Sequence, residues 1–238
     1  MRIDIITIFP GLFDSIFEFG ILGKARNSGR VEIHCVDLRE FTTDRHRTVD
    51  DRPFGGGEGM VFKPEPLAAA IRSLQSGQPG ERTIFLTPQG RLLTQSLVRQ
   101  VAVWDHLILI CGRYEGIDQR VIDLLVDEQI SIGDYVLSGG EIPAMALVDA
   151  VVRLAPGVVG HPDSTRNESF EGGLLDCPIY TRPEVFEGRA VPEVLLSGNH
   201  DQIRRWRAEQ SLANTRRLRP DLLNRQLSPN NIEENHHE

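Results

Sequence analysis

Three short segments of this chain combine glycine with polar and aromatic residues in a way that could cradle a small ligand. They are Thr87-Pro88-Gln89-Gly90-Arg91, Gly112-Arg113-Tyr114-Glu115-Gly116, and Ile132-Gly133-Asp134-Tyr135-Val136-Leu137-Ser138-Gly139-Gly140-Glu141. Glycine tolerates positive φ and close approach, so main-chain amides and carbonyls become usable as binding groups. One glycine after a strand is usually a plain turn, but three such segments on one sheet edge point to a pocket. No G-x-G-x-x-G follows a strand and no G-K-[ST] occurs, which argues against dinucleotide binding and P-loop chemistry.

A second concentration of chemistry lies near the C-terminus. Between Gln202 and Arg225 stand Arg204, Arg205, Arg207, Arg216, Arg217, Arg219 and Arg225, against only Glu209 and Asp221. The net charge of −8 speaks against a general nucleic-acid binder, because phosphate neutralisation needs cations. Two readings of the patch stay open: a solvated helix face, or a phosphate-binding surface. Trp206 among the arginines, and the lack of lysine there, favour the second, since guanidinium forks match phosphate geometry.

These segments need elements to hold them. Short apolar runs predict strands over 3–8, 31–36, 83–86, 107–111 and 129–132. Helical periods predict helices over 12–19, 20–27, 64–74, 94–101, 118–125 and 141–154. Such alternation indicates an α/β domain with a largely parallel sheet, over residues 1–160. Ligands of such sheets bind beyond the carboxyl ends of the strands, where the three glycine segments fall. Residues 161–177 have little periodicity and read as a linker, followed over 178–238 by a small, Arg-rich helical domain with a frayed polar end at 228–238.

Composition narrows the class further. The 238 residues hold no run approaching a membrane span, and the N-terminal apolar run is broken by Asp4 and Pro10, so a cytoplasmic protein without membrane association is expected. Cys35, Cys111 and Cys177 are odd in number, far apart and in no metal-ligand spacing, so they read as small hydrophobes.

Taken together, Gly112-Arg113-Tyr114-Glu115-Gly116-Ile117-Asp118-Gln119-Arg120 and Ser131 through Glu141 closely resemble the cofactor signature of the tRNA (guanine-N1)-methyltransferase branch of the SPOUT family. The resemblance extends along nearly the whole chain. It includes Ile5-Ile6-Thr7-Ile8-Phe9-Pro10, Asp50 through Met60, Gly172 through Pro183, and Ile203-Arg204-Arg205-Trp206-Arg207. It implies a methyltransferase domain tied in a deep trefoil knot, a homodimer with its active site at the subunit interface, and methylation of the guanine at position 37 of tRNA, immediately 3′ of the anticodon. The implied methyl donor is S-adenosyl-L-methionine, with Mg2+ assisting.

Carried over residue by residue, the cofactor pocket would comprise Phe85, Leu86, Thr87 and Pro88; Gly112, Tyr114, Glu115 and Gly116; and Ser131, Ile132, Gly133, Tyr135, Leu137, Gly139 and Gly140. Guanine N1 must lose a proton as it attacks carbon, and a positioned carboxylate can accept it. By resemblance that base is Glu168, in Asn167-Glu168-Ser169-Phe170, where the family has Asp; the side chain here is one methylene longer. Arg153 matches the arginine that would stabilise charge growing on the guanine carbonyl oxygen, and a plain helix-end cation is its other reading.

Glu115 is the place where the metal would act, or simply a loop carboxylate. Asp176 would contact RNA near the target base, or cap a turn. Asp50 and Gly59 would touch the target guanine and its 5′ neighbour, and Arg204, Arg205 and Arg207 the phosphates of the anticodon stem-loop. The polar linker is expected to order when tRNA arrives.

Two other functions share part of this pattern. A non-catalytic RNA-binding regulator predicts degraded cofactor segments, yet all three are intact. A SPOUT methyltransferase acting on another RNA site would lack the 50–60 segment and the 174–183 run, and both are present.

Overall fold

Five parallel strands organise the N-terminal half of the chain, in the order β2-β1-β6-β5-β7. They are β1 (Arg2–Thr7), β2 (Glu32–Asp37), β5 (Glu81–Leu92), β6 (His106–Cys111) and β7 (Glu128–Ser131). A separate antiparallel pair, β3 (Asp50–Asp51) and β4 (Val61–Phe62), brackets the glycine-rich 50–60 segment. The computed structural model describes residues 1–159 and 168–226, apart from the side chains of Arg225 and Gln226.

Strand residues alternate between two apolar clusters, as period-two geometry requires. Ile3, Ile5, Leu107 and Leu109 enter one cluster; Ile6, Ile8, Ile108 and Ile110 enter the other. The sheet is thus buried on both faces, which explains why its strands read as near-continuous apolar runs.

The first cluster is closed by α1 (Asp14–Glu18), α2 (Gly20–Asn27), α4 (Gln95–Ala102) and α6 (Glu141–Val152). The second is closed by α3 (Pro64–Leu74) and α5 (Gln119–Leu125). In α3 the buried Leu67, Ala70 and Ile71 recur at helical spacing behind prolines in the first turn, where no amide is lost. Each fully buried Leu or Ile contributes roughly 1.5–3 kcal/mol.

Several boundaries differ from the sequence reading. The helix expected over 12–19 is a 3-10 turn, Pro10–Phe13, followed by the short α1; the extended Phe19 separates α1 from α2, whose first residue, Gly20, has φ +64. The helix expected to reach residue 154 stops at Val152, with Arg153 as its C-cap.

The strand expected to end at 86 continues to Leu92 through a bulge. Leu86 and Arg91 both pair with Ile130, and the four residues between them are looped out. Gly90 lies so close to β7 that a Cβ there would sit 2.3 Å from the Ile130 amide nitrogen. The segment therefore remains a loop, clasped at both ends by one strand.

The chain divides into two compact units, residues 1–160 and 161–238. Within the second, β8 (Val185–Phe186) and β9 (Arg189–Ala190) form a small hairpin, followed by α7 (Glu193–Leu196), α8 (His200–Leu218) and α9 (Pro220–Gln226). The hairpin was not foreseen in a region expected to be helical. Residues 168–177, expected within a linker, are tied to α8. Leu175 N donates to Thr215 Oγ1 (2.9 Å), Ser211 Oγ donates to the Leu175 carbonyl (2.5 Å), and Asn214 Nδ2 donates to the Asp176 carbonyl (3.3 Å). The rest of that expected linker, 161–167, and the polar end, 228–238, lie outside the described residues.

Candidate active site

β6 ends at Cys111, β7 at Ser131, and the first paired stretch of β5 at Leu86, so the three glycine segments leave the same edge of the sheet. They enclose a cavity of about 250 Å³. Its lining contains all of Phe85, Leu86, Thr87, Pro88, Gly112, Tyr114, Glu115, Gly116, Ser131, Ile132, Gly133, Tyr135, Leu137, Gly139 and Gly140, the fifteen positions expected to hold a cofactor. Gln89, Arg113, Ile130, Val136, Ser138 and Pro143 complete the wall; sequence reasoning had not picked them, although five lie inside or beside the quoted motifs.

The glycines are sterically required. A Cβ on Gly112 would lie 2.8 Å from the Phe85 ring, and one on Gly140 would lie 2.7 Å from the Cys111 Cα. Gly140 N also donates to the Gly112 carbonyl at 2.9 Å, and Arg113 bridges Gly139, so the second and third segments are stitched together. Tyr114, at φ 57, holds a conformation rare for a bulky residue, which stores strain at the cavity wall. Beneath, burial and then the neighbouring Glu141 push the Cys111 thiol well up, leaving it an inert packing group.

The 50–60 segment lies against this cavity. Glu115 N donates to the Met60 carbonyl and Phe62 N to the Gly116 carbonyl, both at 3.0 Å. The Phe62 and Tyr114 rings meet edge to face at 6.2 Å. Gly55, Gly56, Gly57 and Gly59 all have positive φ, a path closed to most side chains. Asp50, in β3, is half-buried, whereas Gly59 is exposed beside Glu115. Arg153 is half-buried at the end of α6.

The remaining expected residues belong to the second unit. Glu168 begins a closed turn in which Glu171 N donates to its carbonyl (3.3 Å) and Phe170 N to the Leu174 carbonyl (2.7 Å). Ser169 Oγ accepts from Asp176 N (3.0 Å), and Asp176 Oδ1 accepts from the next amide, Cys177 N (2.7 Å). A second cavity of about 1090 Å³ is lined by Asp176, Tyr180, Arg204 and Arg207, with the Trp206 ring 6.3 Å from that of Tyr180. Three of the expected RNA contacts thus line one cavity. Arg205 is exposed on the same helix, Arg204 is paired with Asp201, and the Arg225 side chain lies outside the described residues.

Among the described residues, no cluster of three or more His, Cys, Asp or Glu could hold a metal ion, and no helix is long and apolar enough to cross a membrane.

A family model described as tRNA (Guanine-1)-methyltransferase TrmD matches residues 1–225. Proteins named tRNA (guanine-N(1)-)-methyltransferase from Pseudomonas fluorescens and Pseudomonas savastanoi pv. phaseolicola are each 57% identical to this chain over 224 residues. One of the same name from Dictyoglomus turgidum is 57% identical over 223. In all three the match covers 94% of this chain and 90% of the relative.

Proposed function

This chain belongs to the tRNA (guanine-1)-methyltransferase family, and from that premise we propose that it methylates N1 of the guanine at position 37 of tRNA, immediately 3′ of the anticodon, using S-adenosyl-L-methionine. The observation that carries the reading is the convergence of all fifteen expected cofactor positions on one cavity at the carboxyl edge of a parallel sheet. A cradle in which added Cβ atoms would strike neighbouring backbone and ring atoms suits a ligand held by main-chain groups. Bound there, S-adenosyl-L-methionine supplies an electrophilic methyl group.

Glu168 accepts the N1 proton, and Arg153 stabilises the charge that deprotonation leaves on the guanine carbonyl oxygen. Asp50 and Gly59 contact the target guanine and its neighbour, whose edges a single-stranded loop exposes once the base leaves its stack. Asp176, Arg204, Arg205 and Arg207 hold the anticodon stem-loop, the arginines through phosphate. The cavity lined by Asp176, Arg204 and Arg207 supports this assignment.

The same reading includes the trefoil knot, a homodimer with its active site at the subunit interface, and a cytoplasmic location. Its support for the knot is family membership. Glu115 offers magnesium a single carboxylate in the cavity, which is less than a protein metal site, so no step is assigned to the ion.

The test is methyl transfer from labelled S-adenosyl-L-methionine to tRNA transcripts that carry or lack guanine at position 37, with the product nucleoside identified by mass spectrometry. Label in N1-methylguanosine from the first transcript alone is expected. Equal labelling of both, or methylation at another atom, would move the assignment to a different RNA site; no labelling would favour the binding regulator.

A further inference from the structure

Glu141 opens α6 and is 1% exposed, yet both of its oxygens are committed. Thr7, at the end of β1 and wholly buried, donates its hydroxyl to Glu141 Oε1 at 2.9 Å, and Arg113 Nε donates to Oε2 at 3.0 Å. The Thr7 oxygen in turn accepts from Phe9 N at 3.0 Å, and the Arg113 guanidinium stacks over the Phe9 ring at 4.7 Å. A buried carboxylate is costly unless paired, so this set of contacts is closed and specific.

What the pair touches gives it a purpose. Arg113 heads the turn that carries Tyr114 and Glu115 into the cavity, because its carbonyl accepts from Gly116 N at 3.0 Å. On its other side Arg113 bridges Gly139, where a Cβ would lie 2.3 Å from Arg113 Nε and 2.6 Å from Glu141 Oε2. The glycine at 139 therefore leaves room for the ion pair as well as for a ligand. Had Glu141 merely stabilised the start of a helix, it would need neither the arginine nor the glycine.

We propose that Glu141, which does not line the cavity, is a positioning residue for cofactor binding: held by Thr7, it fixes Arg113 and thereby the 112–116 turn against the 132–141 segment. This rests on the reading of that cavity as the S-adenosyl-L-methionine site. Glu141→Gln keeps the shape but removes the charge that pairs with Arg113, and its single amide oxygen can accept from only one of Arg113 Nε and the Thr7 hydroxyl. Thr7→Val is isosteric and removes the hydroxyl alone.

The experiment is calorimetric titration of the purified full chain with S-adenosyl-L-methionine, without tRNA, well below the melting temperature of each variant. Filter binding of tRNA without cofactor is measured in parallel. Glu141→Gln should raise the cofactor Kd at least about tenfold and Thr7→Val about threefold or more, with tRNA affinity unchanged, as expected when local geometry rather than folding is lost. Should Glu141→Gln not fold, Thr7→Val decides on the same criterion. Wild-type binding with folded variants that stay within about twofold overturns the positioning role alone. No binding by the wild type overturns the cavity reading and this proposal with it.

Discussion

Gly59 and Glu115 are packed so closely that a methyl group added at Gly59 would push the Glu115 side chain aside: a Cβ on Gly59 would lie 2.6 Å from Glu115 Oε1 and 2.7 Å from its Cγ. Gly59 also sits at φ +88. The glycine-rich segment thus reaches the one carboxylate that the described residues place on the cavity wall, which ties the expected base-contacting segment to the expected cofactor pocket.

Gly59→Ala should displace Glu115 and strain the backbone by about 1–3 kcal/mol, lowering methyl transfer roughly tenfold or more. Adding Glu115→Ala to it should cost little further, because the residue struck has gone. A double-mutant cycle on single-turnover rates checks this, and full additivity would show that the contact is irrelevant to turnover.

Glu168→Gln and Arg153→Ala should each lower turnover by about two orders of magnitude while leaving cofactor affinity near that of the wild type. Rates and Kd values measured separately decide this. Retention of rate in either variant removes that residue from the assigned chemistry.

A pH dependence follows from the opposite edge of the sheet, where His106 places one ring nitrogen 2.6 Å from Asp4 and the other 2.8 Å from Glu81. Burial opposes ionisation of Glu81, but bonds from the Ser76 amide and hydroxyl and from His106 outweigh it and hold the carboxyl below its ordinary value. A carboxylate depressed on folding adds stability above its unfolded pKa, near 4.5, and loses it as pH falls through the folded value. The melting temperature should therefore fall between neutral pH and pH values below about 4.5, and fall less in Glu81→Gln. Identical acid sensitivity in the two proteins would contradict the assignment.

In the second unit Thr215 is fully buried; it donates to the Ser211 carbonyl at 2.8 Å and accepts from Leu175 N. Thr215→Val would strand that amide at a cost of about 1–3 kcal/mol. Faster proteolysis within 168–177 is the expected readout, together with weaker tRNA binding through a displaced Asp176. An unchanged cleavage pattern would show that the contact with α8 carries little.

Much of this architecture was legible because burial on both faces writes itself into sequence. The apolar runs of β1 and β6 announce a central parallel sheet, and the spacing of Leu67, Ala70 and Ile71 announces α3. Local chemistry hid other features. Pro88 and Gly90 read as a turn that ends a strand, although β5 resumes beyond them, and the two-residue strands around the 50–60 segment and at 185–190 are too short to show any period. The cavity glycines were recognisable as a motif. The pairing of Glu141 with Arg113 and Thr7, and of His106 with Asp4 and Glu81, depends on strand register and on loops that meet only in the folded chain, which no single segment encodes.

The most direct test of the central claim is an equilibrium titration of S-adenosyl-L-methionine into the wild-type protein and into Gly140→Ala, whose added methyl would sit 2.7 Å from the Cys111 Cα and force two cavity walls apart. Saturable binding by the wild type, weakened about tenfold or more in the folded variant, is the predicted result. A wild-type protein that binds no cofactor, or a folded Gly140→Ala that binds as tightly, would contradict it.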